Sequence, residues 1–373
     1  MNKKYIKGFC PSLRRPIFAS DGLLVRLRFI LNTIESEKLI SLCDLSRKYG
    51  SGLMELTNRG SLQIRGIKKI NHENFIEKIF KNKILEHEDN GNINTLINPF
   101  WTYKDQNYKI YKTLAKHKVP NLPEKFGLLL DLGKTPCLKN VSGDIRIENS
   151  RNHKILVRAE GSEKGKIVNY NEINSFVLNM IEWFMINKKK STNRMAELLL
   201  NKKLPNEWCQ EKPIKKCHDI FPSNTKLGQI FGIKLGRFFA QDLKDLLSKS
   251  EAPRVRFTPF KMIILENVKN FNDANFISDR NDSFLNLSAC SGKDYCTNSS
   301  INTFKLAKKI KGKTKLKVHI TGCEKNCGIT KETQILLSGT KNYINFFDFR
   351  SKKKTNIRKK LSYFSKKSFK GIE

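Results

Sequence analysis

Apolar and polar positions near the start of the chain predict a unit of order β-α-β-β-α. Alternation over the first strand places Arg26 and Arg28 on one face, and a turn through residues 57–60 joins the second and third strands. The first helix is expected to stop at Gly50. The predicted elements are a strand over Gly22–Phe29, a helix over Glu35–Tyr49, strands over Leu53–Leu56 and Ser61–Ile67, and a helix over about His72–Lys83.

A weaker copy of this pattern recurs later in the chain. Residues Gly232–Phe238 are predicted to take the place of the first strand, Gln241–Ser248 that of the helix, and Val255–Leu265 that of the strand pair. The recurrence predicts an internal duplication whose two halves pair by pseudo-twofold symmetry.

The region between the two copies, Glu86 to Cys217, reads as a mixed α/β segment. It carries short apolar runs separated by turn residues, followed by a mostly apolar helix. The predicted elements are strands over Leu128–Leu132, Gly143–Ile147 and Lys154–Arg158 and a helix over Glu172–Ile186.

Four cysteines stand in two close pairs near the C-terminal end: Cys290 with Cys296, and Cys323 with Cys327. They can converge on one metal centre if the intervening segment folds back. Structural zinc sites usually draw on tighter knuckles, so the wide first spacing favours an iron–sulfur cluster. The glycines at 292, 322 and 328 agree, because a cluster needs backbone to approach closely. Four buried free thiols are the alternative.

Composition bounds the class of protein. The chain has 373 residues, of which 39% are hydrophobic, so it is long enough for two or more domains. Nine cysteines, no recognisable signal peptide and no long apolar run predict a soluble protein of the reducing cytoplasm, with no membrane partner.

The net charge is +36. It raises nucleic-acid binding as an alternative, but the lysines are scattered and no nucleic-acid recognition motif accompanies them, so a polyanionic small substrate is favoured. The stretch from Ser351 to Glu373 is predicted to be a basic, weakly ordered extension.

Three motifs in this order resemble the nitrite and sulfite reductase superfamily: Leu56–Gly66, Leu122–Gly127 and the four cysteines. The resemblance implies an α+β fold in which two ferredoxin-like half-domains, related by pseudo-twofold symmetry, accompany an α/β region that binds a 4Fe-4S cluster and a tetrapyrrole. The implied parts are a first half-domain at 1–84, a first half of the α/β region at 85–217, a second half-domain at 218–284, a second half with the cysteines at 285–350, and the basic tail at 351–373.

Within the superfamily, the chain is most similar to the precorrin-3B synthases of aerobic cobalamin biosynthesis. The residues that carry this likeness are Cys10–Pro16, Asp21–Arg26 and His319–Cys327. Sulfite and nitrite reductases tend to keep an arginine where this chain has Ile93 and a lysine where it has Gly127. Fewer cations would hold a small oxyanion more weakly, which argues against sulfite reduction.

The resemblance implies a specific oxidoreductase. Precorrin-3B synthase is an NADH- and O2-dependent monooxygenase that hydroxylates precorrin-3A at the meso carbon between rings A and D and closes a γ-lactone from the ring A acetate. The family is described as carrying a 4Fe-4S cluster and a non-haem iron, with electrons from NADH supplied through a separate reductase. A sirohaem-dependent sulfite or nitrite reductase is the alternative.

Candidate site residues follow from the same motifs. A carboxylate-rich macrocycle calls for guanidinium and amide donors, and Arg59 and Arg65 are the foremost candidates. Exposed strand charges, or turn-closing roles for Asn58 and Gln63, are the alternatives. The full expected substrate-binding set is Arg26, Arg28, Asn58, Arg59, Gln63, Arg65 and Lys125.

The cluster ligands are expected to be Cys290, Cys296, Cys323 and Cys327. For the non-haem iron, a facial site of two histidines and a carboxylate is sought. His319, Asp144 and His153 are weak candidates, and a core role for His319 is favoured. No catalytic residue is assigned.

Overall fold

A computed structural model describes residues 10–86, 93–340, 343–350 and 357–360. The chain divides into two compact units, one formed by Pro11–Glu86 with Phe221–Glu373 and the other by His87–Ile220 with the first ten residues. In the described part, no helix is both long and apolar enough to cross a membrane.

The strands are β1 (Ile17–Ala19), β2 (Gly22–Leu27), β3 (Thr33–Glu35), β4 (Leu53–Leu56), β5 (Leu62–Ile67), β6 (Asn94–Ile97), β7 (Gly127–Asp131), β8 (Ile145–Asn149), β9 (Ile155–Ala159), β10 (Lys166–Ile167), β11 (Ser223–Asn224), β12 (Gly228–Gly232), β13 (Arg237–Phe239), β14 (Arg254–Phe257), β15 (Met262–Glu266), β16 (Leu287–Ala289), β17 (Val318–Thr321), β18 (Ile335–Gly339), β19 (Tyr343–Asp348) and β20 (Ile357–Lys360). The helices are α1 (Ser36–Tyr49), α2 (His72–Lys81), α3 (Gln106–Leu114), α4 (Ile173–Asn187), α5 (Met195–Leu198), α6 (Ala240–Ser250) and α7 (Thr303–Ile310).

Two ferredoxin-like halves form the core of the first unit, and they exchange strands. The first half's sheet has the order β1-β2-β5-β4-β13, and the second half's sheet has the order β11-β12-β15-β14-β3. Strand β13 therefore belongs by sequence to the second half but pairs with β4, while β3 pairs with β14. Helices α1 and α6 pack against each other, and one hydrophobic core runs through both halves.

A sharp left-handed turn precedes each exchanged strand. Leu31 has φ 57° and Leu235 has φ 58°, each inside a short 3₁₀ segment. The prediction of a strand over Gly232–Phe238 is wrong for this reason: the strand is β12, which ends at Gly232, and the chain then turns at Leu235. A short strand with glycine at both ends gives little alternation, so the sequence pattern placed it too late.

A third sheet in this unit carries the segment with the four cysteines. Its order is β16-β17-β18-β19-β20, with β16, β17 and β18 parallel and the last two strands antiparallel. The predicted weakly ordered tail is wrong in part, because Ile357–Lys360 forms the edge strand β20. The rest of that tail, 351–356 and 361–373, lies outside the described residues.

The second unit contains a single five-stranded sheet among its described residues, of order β10-β9-β8-β7-β6. Strands β6, β7 and β8 pair in parallel, and β8 with β9 and β9 with β10 pair antiparallel. The strands β16 to β20 pair in the same order. Duplication therefore extends beyond the ferredoxin-like halves: each half is followed by an α/β segment of the same topology.

Most predicted elements are confirmed within one or two residues. Helix α1 ends at Gly50 as expected, and α2, α4 and α6 lie where the 3.6-residue periodicity placed them. The strands of the middle segment also match, with β8 beginning two residues later than predicted. The α+β class is confirmed.

Candidate metal centre

The four cysteines lie at the ends of two adjacent parallel strands. Cys290 follows β16 and Cys323 follows β17, so both leave the sheet at the same edge, and the backbone N–H of Cys290 donates to the Ile320 carbonyl at 2.9 Å. Cys296 and Cys327 lie further along the same two loops. The fold thus brings the two loops that carry the four cysteines to the same edge of the sheet.

The thiols influence one another electrostatically. Burial, followed by the thiols of Cys323, Cys290 and Cys296, raises the pKa of Cys327. Among the described residues, no three His, Cys, Asp or Glu side chains stand close enough to hold a single metal ion. Thiols are the ligand type that iron–sulfur clusters use, so the chemistry of these four donors fits such a cluster.

Backbone amides also approach the thiols. The N–H of Gly322 donates to Cys290 Sγ at 3.1 Å, a contact of the kind that stabilises thiolate ligands. A Cβ at position 322 would lie 1.8 Å from Ser299 Oγ, so only glycine permits this approach. The expectation that glycines let the backbone close around the site agrees with this packing.

His319 supports the loop and has no lone pair left for iron. It is 1% exposed, its Nε2 lies 2.9 Å from the Cys327 carbonyl and its Nδ1 lies 2.8 Å from Ser288 Oγ. A carbonyl only accepts, so Nε2 carries the proton and Nδ1 accepts from the serine hydroxyl. Burial lowers the pKa of His319 to about 4, which keeps the ring neutral. The core role favoured from the sequence agrees with this geometry.

A row of four polar side chains crosses the first half's sheet beside this centre. Arg26, Gln63, Glu55 and Arg237 stand opposite one another on β2, β5, β4 and β13, and we call them the polar row. Arg26 donates to Gln63 Oε1 at 2.7 Å, and Gln63 Nε2 donates to Glu55 Oε2 at 3.0 Å. Arg237 Nε then donates to Glu55 Oε1 at 2.7 Å.

Arg65 is bound internally and is not arranged as a substrate contact. Its side chain is 1% exposed and pairs with Asp21 Oδ1 at 2.9 Å and Glu55 Oε2 at 3.2 Å. Its Nη2 also donates to the Tyr295 carbonyl at 2.8 Å, within the loop between two cysteines. The expectation of a direct substrate contact is therefore corrected: the sequence motif indicated the right place but not that buried carboxylates already occupy this guanidinium.

Tyr295 lies between two cations. The guanidinium carbon of Arg65 is 5.0 Å from its ring centroid, and that of Arg237 is 5.1 Å away. Both contacts are within the range of cation–π attraction. The cysteine loop is thus held through its backbone and through this ring.

The remaining predicted substrate residues lie in different surroundings. Asn58 Nδ2 donates to the Gly328 carbonyl at 3.3 Å, so the turn also contacts the cysteine segment. Arg28 and Arg59 are half-buried at the end of β2 and in the turn after β4. Lys125 is exposed and belongs to the other compact unit.

Several supporting residues were missed by sequence reasoning. Glu55, Asp21, Arg237 and Tyr295 were not singled out, although a charged residue inside a buried strand such as β4 is a signal that could have drawn attention to Glu55. Burial opposes its ionisation, but the charges of Arg237 and Arg65 outweigh that cost and lower the pKa of Glu55. Lys261 was missed too, and burial lowers its pKa to about 8.

The residues considered for a non-haem iron do not form a site. Asp144 is fully buried and accepts from Arg194 and from the backbone of Gly127 and Met195. His153 is exposed in a turn after β8, with φ 58°. Neither they nor His319 join a three-ligand group within the described part of the chain, so the donor set for such an iron does not fit here.

Comparison with known proteins agrees with the fold. Residues 19–80 match the family described as the nitrite/sulfite reductase ferredoxin-like half domain. The chain is similar in structure to the NirA protein of Mycobacterium tuberculosis, with a TM-score of 0.68 over 90% of this chain and 77% of that chain. The sequence identity is 14%, so this likeness concerns the fold alone. Residues 19–80 are therefore similar to this half domain, and the chain shares its fold with the NirA protein.

A sequence comparison finds similarity to a precorrin-3B synthase. A segment of 61 residues is 43% identical to the precorrin-3B synthase of a Sinorhizobium species, which is 16% of this chain and 13% of that protein. The resemblance predicted from the motifs is confirmed at the level of this segment, and the chain matches only a small part of that relative's length.

Proposed function

We propose that the protein is a precorrin-3B synthase. The single observation that carries the proposal is that two loops with four thiols meet at one edge of a sheet, in a chain with a 61-residue segment similar to that enzyme. In the proposed reaction, one atom of O2 hydroxylates precorrin-3A at the meso carbon between rings A and D, and the ring A acetate closes a γ-lactone. The other oxygen atom leaves as water, with two electrons drawn from NADH through a separate reductase.

In this proposal, the four cysteines hold a 4Fe-4S cluster, which supplies one-electron transfer when bound. Gly322 and His319 support two of the ligand positions through the contacts already described. No step is assigned to a non-haem iron, because no described donor set fits it.

The proposed substrate contacts are the residues at the cysteine-facing end of the first half. Arg28, Arg59 and Asn58 would meet carboxylates of the macrocycle, and Arg26 with Gln63 would form the edge of the polar row. Lys125 stays a proposal from the motif alone. The cytoplasm is the proposed location, and an electron-donor reductase is the proposed partner.

Anaerobic purification with metal and sulfide analysis tests the proposal. We expect about four iron and four sulfide per chain, broad visible absorption that bleaches on reduction, and no chlorin bands. Oxygen uptake should require both reductant and precorrin-3A, and the product should gain one oxygen atom. Chlorin bands with sulfite or nitrite reduction would replace the proposal by the reductase alternative, and bound zinc with salt-sensitive polyanion binding would exclude both.

A matched pair of cysteine variants sharpens this test. Cys327→Ser removes a proposed ligand and should lose most of the iron and sulfide. Cys209→Ser alters a half-buried thiol in the other unit, which lies 4.0 Å from Ser162 Oγ, and should keep both iron and sulfide. Equal iron and sulfide contents in the two variants would contradict the ligand assignment.

A further inference from the structure

Two guanidinium groups hold the loop that carries Cys290 and Cys296. Arg237 Nη2 donates to the Cys290 carbonyl at 3.2 Å, and Arg65 Nη2 donates to the Tyr295 carbonyl at 2.8 Å. The two arginines come from different halves of the duplication, on β13 and β5. Backbone carbonyls next to two proposed ligands are therefore bound by cations.

Both arginines converge on one carboxylate. Glu55 receives Arg237 on Oε1 at 2.7 Å and Arg65 on Oε2 at 3.2 Å, and the three side chains are between 1% and 10% exposed. Buried charges are weakly screened, so each acts on its surroundings over a longer range than a surface charge does. Substituting any one of them therefore changes the local field at the cysteine loop.

The sign of that field bears on a cluster held by thiolates. One-electron reduction adds negative charge, so nearby cations favour the reduced state and nearby anions favour the oxidised state. Arg237 and Glu55 occupy adjacent positions on one row of the sheet but carry opposite charges. Their removal should shift the equilibrium in opposite directions.

We propose that Arg237 and Glu55 are positioning residues that set the reduction potential of the cluster, with Arg65 completing the support of its loop. The inference rests on the proposed function, because it requires the four cysteines to hold a cluster. The inference adds the residues that tune the reduction potential of the cluster, and all of these residues lie outside the cysteine motifs.

Redox titration of the purified protein, followed by electron paramagnetic resonance, measures the effect without relying on turnover. Arg237→Gln should disfavour one-electron reduction by about tenfold, a shift of about 59 mV to lower potential. Glu55→Gln should favour reduction by a similar factor. Arg237→Lys keeps the charge but loses the guanidinium fork, so its potential should stay closer to that of the unmodified protein.

The second half supplies a matched control. Arg256 and Glu266 form a buried ion pair at 2.6 Å on β14 and β15, in the sheet of the second half. Arg256→Gln and Glu266→Gln should leave the potential unchanged. These two control variants also measure how much the reduction potential shifts when a buried ion pair is disturbed away from the cysteine loop.

The outcomes separate this inference from the proposed function. Opposite shifts for Arg237→Gln and Glu55→Gln, with unshifted controls, would support it. The inference would be overturned if both variants shifted the potential in the same direction, or if Arg237→Gln retained its iron and its potential did not shift. Either result would leave the proposed function standing. If all three variants at positions 55 and 237 lost their iron, Glu55 and Arg237 would only hold the cysteine loop in place. That result would also overturn the inference. An unmodified protein without a cluster would end both proposals.

Discussion

The two ferredoxin-like halves have the same backbone fold but carry different residues at equivalent positions. The turns match closely: Thr57 N–H donates to the Ser61 carbonyl, and Thr258 N–H donates to the Met262 carbonyl. By this register, the polar row of the first half corresponds to a row in the second half that is half apolar. That row consists of Ile230, Ile264, Arg256 and Thr33.

The ion pair next to the row is reversed between the halves. Glu55 and Arg65 in the first half correspond to Arg256 and Glu266 in the second. The fold accepts either order of charge, since both keep a buried pair satisfied. Only the first order lets a guanidinium on β5 reach the Tyr295 carbonyl. The two halves thus share one backbone fold. The different side chains at equivalent positions decide which half supports the proposed metal centre.

The largest expected effect comes from removing Arg65. Arg65→Met leaves Asp21 and Glu55 without their shared cation, and breaking a buried pair in this way typically costs about 3–5 kcal/mol. Arg256→Met should cost less, because Arg65 pairs with two carboxylates, Asp21 and Glu55, whereas the ion pair of Arg256 is with Glu266, which keeps Arg254 3.9 Å away. Urea denaturation of both variants measures the difference. Equal losses would mean that the two halves use their ion pairs alike.

The turns offer a second, smaller contrast. Gly60 has φ 66°, and a Cβ there would lie 2.2 Å from Asn32 Nδ2, so Gly60→Ala should destabilise the protein by about 1–2 kcal/mol or more. Lys261 occupies the equivalent position at φ 57°. Lys261→Gly removes backbone strain and a half-buried side chain whose pKa is lowered to about 8 by desolvation, so it should be neutral or stabilising. Thermal unfolding of the two variants provides the measurement, and a loss from Lys261→Gly would contradict the strain argument.

Much of the fold could be predicted because it depends on local pattern. Helix α1 and the hairpin of β4 and β5 carry clear periodicity, and the duplication was visible in repeated turns. The strand exchange was not predictable, because β3 and β13 are three residues long and their partners lie in the other half. Pairings that distant leave no periodic signal in the sequence.

The candidate site was predicted in the same uneven way. The spacing of the cysteines predicted a metal centre, which stays a prediction, and motif likeness predicted arginines, of which Arg65 contacts the cysteine loop. Whether an arginine such as Arg65 faces a ligand or a buried carboxylate depends on which residues meet across strands. Sequence reasoning therefore singled out Arg65 but not Glu55, the buried carboxylate that binds it.

The acid response of the first half provides the smallest and last contrast. Because the pKa of Glu55 is lowered in the folded state, its ionisation stabilises the protein at pH values above its usual 4.5, and this contribution is lost as the pH falls toward the lower folded value. The effect should be modest, since burial opposes the two arginines. Glu55→Gln removes the titrating group, so its free energy of unfolding should depend less on pH in this range. Urea denaturation at several pH values below 5 compares the variant with the unmodified protein, and Glu266→Gln removes the carboxylate of the corresponding ion pair in the second half for comparison. An unchanged acid dependence in Glu55→Gln would mean that Glu55 titrates alike in the folded and unfolded chains, which would contradict the inferred influence of Arg237 and Arg65 on it.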